Sequence, residues 1–481
     1  MPDLAPAPFL IGTDWITTPE TIPVHDPYLG THLADLCLGS PTHLTAAIAS
    51  AEIAFTITRQ QAPCDRSDLL SRIVCLLERD RSEFVELIIA EAGKPRTLAE
   101  GELTRALSTF RLAAELARAT SGHLLDLDAF APGRHHIGQV QHFPLGVIYA
   151  ITPFNFPLNL VAHKLGPALA TGNTVLLKPS PRTTLIALRL GRLLLEAGIT
   201  PGQVNIVPCA NENAALPLAD PRVRMLSFTG GDAVGWHLKS LCLRQKVTLE
   251  LGGNAAAIVH SDAILEDAIP LLATGSFAYS GQSCISTQRI LVHESIFENF
   301  RGKFVAHTRA YIHCGDPREA ATVVGPMIHS SAVQRTLANL AAATHAGATI
   351  LLGGTPISDN ILPPTIVEVQ HQDSAISCEE AFAPIVTLQR YTDWEHALRL
   401  VDESRFGMQV GIFTQDINRI HHAFATLDVG TVLINQAPTF RAENQPYGGT
   451  KDSSFGREGV RNTMEDMTQL KSLIIRLPTH A

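Results

Sequence analysis

Residues 145–198 read LGVIYAITPFNFPLNLVAHKLGPALATGNTVLLKPSPRTTLIALRLGRLLLEAG, and this stretch decides the fold class. LGVIYAI and NTVLL are short unbroken apolar runs, whereas LIALRLGRLLLEAG repeats its apolar residues at three and four. Such alternation predicts a parallel sheet buried on both faces by helices. The rhythm continues through VNIV at 204, RMLSF at 224 and VTLEL at 247, and a second alternation runs from AAAIVHSD at 255 to GTVLIN at 430–435. Two doubly wound α/β units follow. Upstream, LTAAIASAEIAF, LLSRIVCLLERDRSEFVELIIAEAG and LTRALSTFRLAAELARA predict helices between residue 43 and about 121, ended by the Gly/Pro/His-rich break at 122–138.

The length of 481 residues exceeds what one core ordinarily holds, and a 45 % hydrophobic content supports sizeable buried layers. The formal charge is −9, from 37 basic and 46 acidic residues, with no basic run. Nucleic acid and anionic membrane surfaces are therefore poor partners. The sequence MPDLAPAPFL lacks a basic region followed by a long apolar one, and no apolar stretch approaches membrane-spanning length, so a cytoplasmic location is expected. The eight cysteines form no CxxC pair or zinc-type cluster, and the histidine doublets His135/His136 and His421/His422 are neighbours that rarely face one ligand. No metal is expected.

Cys284 in GQSC and Glu250 in LELGG suggest a thiol nucleophile with a separate carboxylate base. A thiolate is scarce at neutral pH unless charge, dipoles or a base favour it, and the ordinary alternative is a small buried core cysteine. Asn155 in PFNFP is held between aromatics and prolines, where its amide N–H suits an oxyanion, although such an asparagine is also an ordinary turn residue. No GxGxxG is present. Instead SFTGGDAVG ends an apolar run at Phe228 and then gives Gly230, Gly231 and Gly235, either a simple glycine turn or a strand-to-helix junction whose N–H groups approach a phosphate. Lys178 closes the run NTVLLK, at a strand's carboxyl end where ligands bind in open sheets.

These motifs come in order with EAGKP at Lys94, KPS at Lys178, GDP at Asp316, VGPMI, EEAFAPI and PYGGTKDSSFGREG. Together they resemble the NAD(P)-dependent aldehyde dehydrogenases over nearly the whole length, nearest to the branch of lactaldehyde, phosphonoacetaldehyde and non-phosphorylating glyceraldehyde-phosphate dehydrogenases. The resemblance implies that Cys284 attacks an aldehyde, that Asn155 and the Cys284 N–H hold the oxyanion, and that Glu250 activates the water hydrolysing the thioester. It implies a cofactor of NADP or NAD, with Lys178, Ser180 and Pro181 at the adenosine ribose. Phe228, Gly230 and Gly231 would border the pyrophosphate, and Glu380 with Phe382 the nicotinamide ribose. Gly231 stands where the family often has serine, Ala383 where it has glycine, and Pro181 where NAD-preferring members have glutamate. With Arg182 next in the chain, NADP acceptance is expected.

Positions lining the family's aldehyde tunnel correspond to Phe154, Asn159, Ser283, Ile285, Phe440 and Arg441. Arg441 either holds an anionic substrate group or pairs with Glu443 in its own loop. The implied substrate is a small, hydroxylated or anionic aldehyde. Residues 1–122 and 145–252 would form the dinucleotide-binding domain and 253–457 the catalytic domain. Residues 123–144 and 458–481 would form an oligomerisation arm, with SLIIRL pairing on another subunit in a homodimer or homotetramer. Coenzyme A-acylating relatives lack the glutamate of LELGG, and a non-catalytic relative would have lost one of Cys284, Glu250 and Asn155.

Overall fold

The computed structural model describes residues 6–119, 122–371 and 374–478; Met1–Ala5 and the last three residues of the expected arm lie outside the described residues. One sheet orders its strands Asp14–Ile16, Phe9–Ile11, Val204–Ile206, Thr174–Lys178, Val147–Ile151, Val223–Thr229, Lys246–Glu250 and Ser454–Phe455. Its five central strands are parallel; an antiparallel hairpin of two strands closes one side and a single antiparallel strand the other. The second sheet runs Thr349–Leu352, Thr365–Glu368, Ile385–Tyr391, Thr287–His293, Ala255–Val259, Gln409–Phe413 and Thr431–Ile434, parallel except at the first pair.

The two doubly wound units read from the hydrophobic rhythm are present. In strand Ala255–Val259, Ala257 and Val259 enter one core while Ala256 and Ile258 enter another, because successive side chains leave a strand on opposite faces. A strand buried on both faces has no polar position to alternate with, hence its continuous apolar reading. The apolar run 69–93 is two helices, Pro63–Arg79 and Arg81–Ala92, meeting at Asp80; Gly93 ends the second at φ +61°.

Two expectations about the C-terminal region need correction. Strand Ser454–Phe455 adds to the first sheet, and helix Val460–Asp466 buries Val460 and Met464 in the first core. A boundary at 457/458 therefore cuts through a unit held by first-core packing. The arm pairing is also made within the chain: Thr468–Arg476 lies antiparallel to His136–Pro144, from Thr468 opposite Pro144 to Arg476 opposite His136. The helix ending at Asp466 delivers this strand beside its partner, and the Leu145 N–H donates to the Met467 carbonyl at 3.2 Å. Among the described residues, no helix is long and apolar enough to cross a membrane.

A buried charged hub ties three segments together. Lys94 pairs with Glu102, and its ammonium sits 3.7 Å from the Phe156 ring centroid and 4.5 Å from that of Tyr279. Glu102 also accepts the Leu158 and Asn159 N–H groups at 2.8 and 3.1 Å, satisfying the start of helix Asn159–Thr171. Burial pulls Lys94 down to about 8 against the attraction of Glu102. Lys94→Met leaves Glu102 buried without its cation and should destabilise the protein by about 3–5 kcal/mol. Urea unfolding measures this, and an unchanged midpoint would show that the pair contributes nothing.

Candidate active site

The nucleophile candidate is delivered by a turn of unusual backbone. Tyr279, Ser280 and Gly281 have φ of 53°, 56° and 65°, a left-handed run that disfavours side chains. Buried hydrogen bonds hold it: the Tyr279 hydroxyl donates to the Ala92 carbonyl at 3.0 Å and the Ser280 hydroxyl to the Gly325 carbonyl at 2.7 Å. A Cβ at Gly281 would lie 2.1 Å from the Ala383 carbonyl oxygen, so glycine is required there for space as well. Across the cleft, the Asn155 amide donates to the Gln282 carbonyl at 3.0 Å, which fixes Asn155 beside the Cys284 loop.

Cys284, Glu250, Asn155, Phe154, Asn159, Ser283, Ile285, Arg441, Glu380 and Phe382 all line one cavity of about 430 Å³. Lys178, Ser180, Pro181 and Phe228 line an adjoining cleft of about 1110 Å³. Pro153, Phe154, Thr229, Gly230 and Gly231 border both. Phe440 borders neither and stays 46 % exposed; its N–H donates to the Ala437 carbonyl, and its own carbonyl accepts from Gln409, so the tight turn leaves its ring outside. The histidine doublets stand apart from both clefts, and among the described residues no group of three or more His, Cys, Asp or Glu is placed to hold a metal.

Burial dominates the cavity's electrostatics. It pushes the Cys284 thiol up to about 11, helped by the charges of Glu380 and Glu250 and opposed by the Tyr447 hydroxyl and Arg441. Burial and the charge of Glu458 lift Glu250 well above the ordinary carboxylate range, against Arg441, Lys164 and Arg457. Both Glu250 oxygens lack a hydrogen-bond partner. Glu458 is buried too, yet Lys164, 2.9 Å away, leads the cations that hold it below the usual range. Burial raises Glu380 to about 7 although the Gly253 N–H donates to it at 3.0 Å. The loop pairing considered for Arg441 is not made. Glu443 instead accepts from Arg105 at 2.5 Å and lies 2.5 Å from His163 Nε2, while Arg441 approaches His163 at 3.4 Å and Glu458 at 3.9 Å.

A family model described as the aldehyde dehydrogenase family matches residues 15–473. The chain belongs to the aldehyde dehydrogenase family. It is 38 % identical over 446 residues to aspartate-semialdehyde dehydrogenase 1 of Pseudomonas canavaninivorans, covering 92 % of this chain and 94 % of that protein. Aldehyde dehydrogenase 21 from Physcomitrella patens, solved with the reaction product succinate, superposes with a TM-score of 0.95 at 35 % identity over 98 % of this chain and 99 % of that one. The NADP-dependent glyceraldehyde-3-phosphate dehydrogenase of Bacillus halodurans C-125, solved with NADP, gives 0.95 at 31 % over 98 % and 100 %. The expected branch is thereby borne out, and the protein is an NAD(P)-dependent aldehyde oxidoreductase.

The adjoining cleft of this aldehyde dehydrogenase suits a dinucleotide. Strand Val223–Thr229 leads through Gly230 and Gly231 into helix Asp232–Leu241, whose first turn lines the cleft with Ala233 and Val234. The Thr229 hydroxyl is buried without a partner there, and a Cβ at Gly231 would meet open space. Lys178 is buried at its strand end, 3.5 Å from Asn211, with Pro181 and Arg182 beside it and Glu212 on the same lining.

Sequence reasoning missed Tyr447, Arg105, Lys164 and Glu458. Tyr447 had a signal, an aromatic between Pro446 and the pair Gly448–Gly449; Arg105 reads as an ordinary charged helix position. Gly253 generates a sharp expectation, since its Cβ would lie 2.2 Å from the Cys284 carbonyl oxygen, whereas one at Gly231 clashes with nothing. Gly253→Ala should cost about 1–3 kcal/mol of stability and displace the Cys284 loop, while Gly231→Ser should leave melting and NADP affinity nearly unchanged. Calorimetry and cofactor titration check the pair, and equal effects of the two would contradict the packing argument.

Proposed function

We propose that this aldehyde dehydrogenase oxidises a small aldehyde carrying an anionic group, and that Cys284, Glu250 and Asn155 carry the chemistry. The observation behind the substrate class is a pair of buried guanidinium N–H groups without partners, Arg105 Nη2 and Arg441 Nε, on side chains that line the cavity holding Cys284. Buried donors left unpaired are costly, and a carboxylate, sulfonate or phosphate bridging two arginines would satisfy both. The relative named for aspartate semialdehyde and the structure solved with its reaction product succinate support such a ligand.

Cys284 Sγ attacks the aldehyde carbon as thiolate, and the carbonyl π electrons move to oxygen. The Asn155 amide, already anchored on the Gln282 carbonyl, offers its second N–H to this oxyanion, and the Cys284 backbone N–H offers another. The nicotinamide cofactor, when bound, supplies the hydride acceptor. Glu250 then takes a proton from water as it attacks the thioester carbonyl and expels the Cys284 thiolate. A carboxylate raised by burial is a stronger base, which suits this role. Hydrolysis, rather than transfer to coenzyme A, follows from retention of Glu250 in the cavity. Lys178 with Arg182 favours acceptance of NADP alongside NAD.

A homodimer or homotetramer is supported by the exposed outer strand Thr468–Arg476, which leaves Leu470, Leu473, Ile474 and Ile475 about half exposed on a sheet edge. Free Cys37, Cys64, Cys75, Cys209, Cys242, Cys284 and Cys314 suit the reducing cytoplasm.

Succinic semialdehyde and butyraldehyde, with and without a terminal carboxylate, test the reading. Cys284→Ala should lose oxidation of both. Arg105→Met should lower kcat/KM for succinic semialdehyde by about 10- to 100-fold and alter butyraldehyde oxidation little. Equal losses for the two aldehydes would remove the anionic-substrate proposal.

A further inference from the structure

Among the described residues, the hydrogen-bonding side chain on the nucleophile candidate is neither the base candidate nor the oxyanion donor. Cys284 Sγ lies 3.1 Å from the Tyr447 hydroxyl, while both Glu250 oxygens lack partners and the Asn155 amide is engaged by Gln282. The phenol is held rigidly. Tyr447 and Glu458 exchange both backbone hydrogen bonds, at 2.9 and 2.7 Å, and the Tyr447 ring packs with Ile285 and Met408 around Cys284. Tyr447 is only 3 % exposed, and its burial keeps it a neutral phenol, so its O–H remains available to donate. The Arg441 guanidinium carbon lies 3.6 Å from the Tyr447 ring centroid. A cation over a π face draws electron density from the ring and makes the phenolic O–H a stronger donor.

We propose that Tyr447 is a further catalytic residue, whose O–H donates a hydrogen bond to the Cys284 thiolate and is strengthened by Arg441 stacked on its ring. The inference rests on Cys284 being the nucleophile. Before ionisation either group can donate; once Sγ has lost its proton, only the phenol can. The thiol proton leaves to water or Glu250, and Tyr447 keeps its own proton throughout, so no bond to its oxygen breaks. As the S–C bond forms, negative charge moves from sulfur to the aldehyde oxygen, and the Tyr447 bond weakens while the Asn155 bond strengthens. Stabilising a thiolate lowers its intrinsic nucleophilicity somewhat, but the gain in thiolate population outweighs this where burial makes the thiolate scarce. A ring needed only for packing would work equally well as phenylalanine, and this makes the two roles separable.

The test is the pH dependence of Cys284 alkylation by iodoacetamide, followed on the peptide that carries Cys284 because Cys64 and Cys75 are exposed and react as well. Tyr447→Phe should shift the alkylation profile upward by about one pH unit and slow alkylation at pH 7 about threefold, with melting temperature and NADP affinity unchanged. Arg441→Met should shift the profile in the same direction by less, since the phenol remains. A Tyr447→Phe profile superimposable on that of the unaltered protein overturns the proposal. If Tyr447→Phe proves unstable, an unshifted Arg441→Met profile overturns it instead. Dehydrogenase activity surviving in Cys284→Ala would remove the nucleophile reading itself, whatever the alkylation profile shows.

Discussion

The backbone contact between Gly253 and Cys284 is the constraint on which the rest of the active site depends. Gly253 lies where the chain leaves strand Lys246–Glu250 of the first sheet and enters strand Ala255–Val259 of the second, and the Cys284 carbonyl sits where its Cβ would be. Gly252 repeats the device on the other side, where a Cβ would lie 2.8 Å from a Glu380 carboxylate oxygen. These two glycines let the end of one sheet, the Cys284 loop and the Glu380 carboxylate share one small volume. Glu250, two residues upstream of Gly252, enters that volume by chain connectivity alone, as the last residue of its strand.

A site assembled so tightly is buried, and its electrostatics follow from that. Burial raises Cys284, Glu250 and Glu380, which by itself would leave the candidate nucleophile a thiol and the candidate base protonated. Opposing it are Arg441, Lys164 and Arg457 at Glu250, Arg441 and the Tyr447 hydroxyl at Cys284, and Arg335 and Arg405 at Glu380. The Lys94–Glu102 hub stands behind them, holding Phe156 and Tyr279, so that the segments bearing Asn155 and Cys284 are clamped to one buried ammonium. Groups with pKa values pushed apart in one cavity are the arrangement from which acid and base roles arise.

The sheets were legible because strands buried on both faces leave unbroken apolar runs, and LGVIYAI, NTVLL and AAAIV are such runs. Cys284, Glu250 and Asn155 were legible because each sits among glycines or prolines that restrict the local backbone. Arg105 was not: its role comes from helix Arg96–Ala119 lying against Phe156 and Glu443, a contact across 338 positions with no local signature. The pairing of Thr468–Arg476 with His136–Pro144 within the chain differs from what the resemblance implied, since a strand-like run such as SLIIRL identifies a strand but not its partner. Phe440 was carried over by correspondence, which does not report where a turn directs a ring; here the ring is 46 % exposed and outside the cavity.

The central claim is that Cys284 forms a covalent acyl intermediate that Glu250 releases through water. Rapid quenching of Glu250→Gln with succinic semialdehyde and NADP, followed by peptide mass spectrometry, tests it directly. The account predicts one burst of reduced cofactor and a succinyl adduct on the peptide containing Cys284, persisting because its hydrolysis is slowed. A burst without an adduct, or an adduct on another cysteine, would contradict it.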